Sequence, residues 1–200
     1  LTPDIITAQY DGRALEAIEQ RNGHKAAVVW LTGLSGAGKT TIADEVKLRL
    51  FEQGVHSFAL DGDQLRSGLN KDLGFTAADR HENIRRAAAV AGLFYQSGAV
   101  VLCSFISPFA TDREEVKKQF PEGRFLEIYV KCSLEECARR DPKQLYKKAL
   151  NQSIPNFTGI NSPYEVPEKP NMVINTEHCT ETEAAEMVLT LLQVEGIITY

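Results

Sequence analysis

The stretch GLSGAGKTT, Gly33 to Thr41, carries the clearest chemistry in this 200-residue sequence. Gly33, Gly38, Lys39 and Thr40 complete the pattern GxxxxGK[ST], with the apolar run AAVVWLT in front and IADEVKLRL behind. Glycines at these spacings let the backbone N–H groups of Ser35, Gly36, Ala37, Gly38 and Thr41 converge on phosphate oxygens, and the following helix adds its positive end. Lys39 reaches the terminal phosphates, and the Thr40 hydroxyl suits Mg²⁺. A purely structural glycine turn is the competing reading, which the joint presence of pattern and context disfavours. Two chemistries stay open: transfer of a phosphoryl group to an acceptor, or nucleotide hydrolysis driving a switch or motor.

The acceptor side reads from three further blocks. LDGDQLRSGL follows the second strand candidate, which puts Asp61 and Asp63 at the C-terminal edge of a sheet, where open α/β sheets bind ligands. Phosphoryl transfer to a hydroxyl needs a carboxylate to orient or deprotonate the acceptor and help hold Mg²⁺, with cations beside the moving charge. Asp63 suits that role, with helix capping as the alternative, and Arg66 on the same face suits an anion on the acceptor. In LGFTAADRHENIRR, Thr76 and Asp79 have the spacing of a capping box. Arg80 and Asn83 share a helix face, Phe75 lies just before them, and Arg85 and Arg86 read as local ion-pair partners. In SFISPFATDRE, Pro108 predicts an extended Ser107, while Ile106 and Phe109 either wall an apolar slot for a base or pack internally. Farther on, Lys143, Lys147 and Lys148 either close over phosphates or form a solvated face. Phe157, after Asn156 in NFTGI, reads as an exposed aromatic able to stack on a purine.

These side chains need a scaffold, and the rest of the chain provides one. AAVVWLT, HSFAL, AVVLCSF, RFLEIYV and NMVIN are five strand candidates, each reached through a helical stretch. Helices are expected at about 13–20, 40–51 and 78–96, the last two stopped by Gly54 and Gly98. Helical connections imply parallel strands, so the pattern predicts a doubly wound three-layer α/β domain with a five-stranded parallel sheet. Residues 141–170 break the rhythm with lysines, with four prolines in NQSIPNFTGINSPYEVPEKP and with no period, as a lid or binding loop does. Residues 1–25 read as an N-terminal extension and 26–200 as one domain. With 43% hydrophobic and 24% charged residues the composition is that of a globular protein. A net charge of -5 disfavours a nucleic-acid partner. No apolar run approaches a bilayer span and the N-terminus lacks secretory order, so no membrane is expected and the location reads as cytoplasmic. Cys103, Cys132, Cys137 and Cys179 show no metal-site or CxxC spacing and read as reduced, mostly buried thiols.

Taken in order, GLSGAGKTT, DGDQLRSGLNKDLGF, DRHENIRR, SFISPF..DR, DPKQLYKKA and FTGINSPYE.P resemble the adenosine 5'-phosphosulfate kinase family over about Val28 to Thr176. The resemblance implies a P-loop kinase fold with a lid at about 141–170, and transfer of the ATP γ-phosphoryl group to the 3'-hydroxyl of adenosine 5'-phosphosulfate with Mg²⁺. It makes Lys39, Thr40 and the loop the ATP and magnesium site, and Asp63 the magnesium-linked carboxylate and general base. It places Arg66, Arg80 and Asn83 on the phosphosulfate, Phe75 and Phe157 on the adenine with Asn156 and Ile106 nearby, and Lys143 closing from the lid. Arg140 and Cys179 fall near the adenine of ATP, and Ser107 matches a serine described as a phosphoserine intermediate. A loose, charge-spread transfer needs positioning more than a covalent relay, and an unactivated serine is a poor nucleophile. The family is also one of homodimers, some fused to ATP sulfurylase. Where many members read KGLYKKARAGEI this sequence reads KQLYKKALNQSI, which bears on lid mobility and ATP-side contacts. A kinase for another small acceptor and a non-catalytic nucleotide-binding partner of a sulfurylase are the competing functions.

Overall fold

Alternation along the first strand decides the architecture. Ala27, Val29 and Leu31 point to one face of the sheet and Val28 and Trp30 to the other, and all are buried. A strand apolar on both faces needs cover on both. The computed structural model describes residues 12–141, 144–151 and 156–199.

In chain order the elements are α1 (Gly12–Asn22), β1 (Ala27–Thr32), α2 (Lys39–Glu52), β2 (Ser57–Asp61), α3 (Gly62–Ser67), α4 (Ala77–Gln96) and β3 (Val100–Ser104). There follow α5 (Ala110–Lys117), β4 (Phe125–Lys131), α6 (Leu134–Arg140), α7 (Leu145–Leu150), β5 (Met172–Asn175) and α8 (Glu181–Val194). The strands form one parallel sheet in the order β2-β3-β1-β4-β5. Ile42, Val46 and Leu50 of α2 and Val188 and Leu192 of α8 cover the Val29 face. Ile84, Ala87, Ala88 and Ala91 of α4, with Val116 of α5, cover the Trp30 face. The three-layer α/β/α reading therefore holds, with all five strands where the apolar runs put them.

The helix boundaries follow local chemistry. Thr76 and Asp79 form the expected reciprocal capping box at the start of α4. Thr180 and Glu183 form a second at the start of α8. The cap of α3 is Asp61 and not Asp63: its carboxylate accepts the N–H groups of Asp63 and Gln64. Residues 141–170 are less irregular than expected, since α7 buries Tyr146 and Ala149, and Thr158 pairs with Ser162. All four cysteines are free thiols, with Cys179 half-buried and the others buried. Among the described residues no helix is long and apolar enough to cross a membrane.

Candidate active site

The strand ends of β1, β2 and β3 open into one cleft of about 930 Å³. At one end lies the loop Gly33–Gly38. Gly33 has φ +155°, and a Cβ there would sit 2.4 Å from the Val130 carbonyl oxygen, so only glycine lets the chain leave β1 along β4. Gly38, at φ +99°, is the residue before α2, whose helical N-terminus opens on the loop. Lys39 is buried and folds back, its Nζ donating to the carbonyls of Gly33 (2.9 Å) and Leu34 (2.7 Å). Thr40 Oγ1 donates to Asp61 Oδ2 at 2.8 Å, which joins the loop to the end of β2. On the flank, Arg140 donates to Thr176 Oγ1 (3.0 Å) and to its carbonyl, and Thr176 Oγ1 donates to the Ala37 carbonyl (3.0 Å). Cys179 lines the same flank, its Sγ 3.2 Å from the Asn175 carbonyl oxygen, and burial pushes its thiol pKa up.

At the other end the cations gather around one aromatic ring. The guanidinium of Arg66 lies 4.5 Å and that of Arg80 5.7 Å from the centroid of Phe75. Burial lowers the pKa of Arg66, opposed by the charges of Asp63 and Asp79. Burial also lowers that of Arg80, reinforced by Arg66. Two guanidiniums around one ring, both disfavoured in their charged form by burial, favour an incoming anion. Arg80 donates to the Asn156 carbonyl at 2.6 Å, tying α4 to the segment that carries Phe157. Asn83 lines the cleft beside them, and its Oδ1 accepts from Asn70 Nδ2 at 3.0 Å.

Two expectations need correcting. Phe157 is 8% exposed and packs edge-on against Tyr146, so it is a buried wall of the cleft and not an exposed loop aromatic. Ser107 has φ +38° and is not extended, because Arg113 holds its carbonyl at 2.7 Å and Trp30 Nε1 donates to its Oγ at 3.1 Å. Lys147 and Lys148 are exposed and lie outside the cleft lining, as the solvated-face reading has it. Lys143 and Gln152 lie outside the described residues, as does the side chain of Leu150. Ile106 lines the cleft and Phe109 does not. Arg85 and Arg86 pair with Glu82, and Arg86 also with Asp72.

A family model for adenylylsulphate kinase matches residues 25–175. The chain belongs to that family. A probable adenylyl-sulfate kinase of Bacillus subtilis strain 168 is 52% identical over 177 residues, 88% of this chain and 89% of the relative. The adenylyl-sulfate kinase of Bacillus velezensis is 55% identical over 168 residues, covering 84% and 85%. Among solved structures, the Mycobacterium tuberculosis APS kinase CysC in complex with AMPPNP and APS superimposes with a TM-score of 0.82 at 43% identity, over 85% of this chain and 99% of that one. A gluconokinase from Sinorhizobium meliloti, at 16% identity and TM-score 0.58, shares the fold alone.

The structure also gives contacts to residues that the motifs left without a role. Asp61 stood at the right sheet edge, but nothing in the spacing showed that it would hold Thr40. Arg113, 3% exposed, donates to Glu127 Oε1 (2.7 Å), the Ser107 carbonyl (2.7 Å) and the Glu165 carbonyl (2.8 Å), which fastens the loop after β3 to the segment around Glu165. Glu165 returns the link by accepting from the Ala110 N–H at 2.6 Å. Only the proximity of DR to the SFISPF block hinted at this. Gln144 has a φ of +52°, a left-handed backbone that costs a side chain about 1 kcal/mol and that glycine adopts freely.

Proposed function

We propose that this chain is an adenylyl-sulfate kinase, transferring the γ-phosphoryl group of ATP to the 3'-hydroxyl of adenosine 5'-phosphosulfate to give 3'-phosphoadenylyl sulfate and ADP. One observation carries the reading: a single cleft holds a phosphate loop at one end and the Arg66, Phe75, Arg80, Asn83 and Phe157 cluster at the other. Those two ends suit a nucleoside triphosphate and an anionic nucleotide, and a relative of the same family is known with AMPPNP and APS together.

The mechanism follows from what each residue can do. Loop N–H groups and Lys39 hold the β- and γ-phosphates, with Lys39 exchanging its carbonyl partners for phosphate oxygens. The Thr40 hydroxyl and the Asp61 and Asp63 carboxylates are hard oxygen donors at the loop edge, and Thr40 and Asp61 already share a hydrogen bond, so these residues fit Mg²⁺. When bound, that ion neutralises charge on the phosphates. Asp63 orients the acceptor hydroxyl and takes its proton, Arg66, Arg80 and Asn83 fix the phosphosulfate, and Phe75, Ile106 and Phe157 enclose the adenine. Direct in-line transfer is a matter of positioning and charge stabilisation. Ser107 holds the cleft wall: its Oγ accepts from Trp30 and donates to Thr32, which in turn donates to the Ile106 carbonyl.

ADP release measured with MgATP across adenosine 5'-phosphosulfate, gluconate, shikimate and AMP tests the reading. Turnover is expected with the first alone. Comparable turnover of any other acceptor overturns the substrate, and binding of both nucleotides without turnover makes the chain a non-catalytic partner.

A further inference from the structure

We propose that Asn70 is a positioning residue that decides which end of the Asn83 side chain faces the acceptor; this rests on the functional reading of the cleft given above. Asn83 lines the cleft, whereas Asn70 is 0% exposed and stands behind it, outside the lining. Asn70 Nδ2 donates to Asn83 Oδ1 at 3.0 Å. A side-chain amide has an acceptor at one end and donors at the other, so engaging the carbonyl from behind turns the NH₂ group to the cleft. There it joins the guanidinium of Arg80, one helical turn earlier, and the two present donors to one anion. The reverse orientation would put a carbonyl oxygen, the negative end of the amide, against that anion.

The backbone holds Asn70 at this post. Its N–H donates to the Leu65 carbonyl at 2.8 Å and its carbonyl accepts from the Leu73 N–H at 3.1 Å, fixing the turn between Arg66 and Phe75. The side chain is also a poor choice for packing alone, because Asn70 Oδ1 is buried with no hydrogen-bond partner among the described residues. Leucine has a similar branched shape without an orphaned oxygen. What asparagine adds at this position is the donor toward Asn83.

Two variants separate orientation from packing. Asn70→Asp keeps the shape but, ionised, offers only acceptors, so the Asn83 NH₂ turns inward. Asn70→Leu removes the donor without imposing the reverse. In Asn70→Asp the KM for adenosine 5'-phosphosulfate is expected to rise about tenfold or more, while kcat and the KM for ATP stay within about twofold, since hydrogen bonds to charged groups carry effects of that size. Asn70→Leu should fall between this variant and the parent. Equal rises in both KM values, or a lower melting temperature with unchanged KM, overturn the proposal. A readout independent of turnover is the through-hydrogen-bond scalar coupling between Asn70 Nδ2 and the Asn83 side-chain carbonyl carbon in isotope-labelled parent protein. Its absence overturns the orientation; its presence without turnover of the sulfated nucleotide would instead place the failure in the functional reading.

Discussion

Thr40 Oγ1 and Asp61 Oδ2 are 2.8 Å apart, so the residue after the loop lysine is held by the aspartate that ends β2. The same carboxylate accepts two backbone N–H groups from the first turn of α3, the helix that carries Asp63 and Arg66. One side chain therefore fixes the phosphate-loop end of the cleft relative to the end that carries Arg66.

Asp61 can be split into its two duties by substitution. Asparagine caps helices about as well as aspartate, whereas alanine costs about 1 kcal/mol. Asp61→Asn is accordingly expected to leave the melting temperature near that of the parent and to lower turnover at least tenfold, because the charge beside Thr40 is gone. Asp61→Ala should lose both. Thermal melts paired with steady-state rates decide it, and full activity in Asp61→Asn would confine the residue to capping.

The layers and the loop were legible in the sequence because their causes are local. Glycine spacing, a lysine and two runs with the right period need no distant partner, and the Thr76 capping box closes over three residues. Phe157 and Ser107 misled for the opposite reason. Phe157 is buried because Tyr146, on a separate short helix, comes against it. Ser107 takes a positive φ because Trp30 and Thr32 of β1 and Arg113 of α5 grip it, which overrides the preference set by the proline that follows. Asn70 behind Asn83 was invisible for the same reason, since a buried amide and an exposed one look alike in sequence.

Phe157 should show a double penalty. As a buried ring against Tyr146 it supports the fold, and Phe→Ala in such a site costs about 3 kcal/mol or more. As a wall of the cleft it is the proposed cover for a base, a contact of about 1–3 kcal/mol in nucleotide complexes. Phe157→Ala is expected to lower the melting temperature and weaken acceptor binding together, with Phe157→Leu milder on both. Calorimetric titration alongside melting would show a stability loss with unchanged acceptor affinity if the ring only packs.

His81 gives the protein a pH-dependent brace between α4 and α5. Its Nδ1 lies 2.7 Å from Oδ1 of the buried Asp112, and that hydrogen bond raises its pKa; burial, the next largest effect, opposes the rise, and the charges of Asp112, Glu115 and Glu82 each add a smaller one. A pKa raised in the folded state means stabilisation that is complete below the unfolded value near 6.5 and lost as pH rises through the folded one. Denaturant unfolding of the parent and His81→Gln should therefore differ more at about pH 5.5 than at about pH 9, on either side of the histidine range. The same difference at both pH values would show that the pair carries no charge-dependent stability.

Asp63 and Ser107 make opposite predictions about how the acceptor hydroxyl is handled. Asp63 sits one helical turn before Arg66, so a carboxylate and a cation share the face that lines the cleft. The Ser107 hydroxyl is 1% exposed and committed on both sides, accepting from Trp30 Nε1 and donating to Thr32 Oγ1, with neither partner able to serve as a base. If transfer is direct, Asp63→Asn should lower the chemical step by about 10²-fold or more, the range of general base catalysis, while ATP binding survives. Ser107→Ala should keep substantial turnover, with a stability cost of about 1–3 kcal/mol from leaving the Trp30 N–H without its acceptor. Rapid-quench experiments with labelled ATP on the parent and both variants read the two steps apart. No phosphorylated protein is expected when ATP is supplied alone. A phosphoenzyme that forms fast enough for turnover and vanishes only in Ser107→Ala would replace direct transfer by a two-step route through the serine.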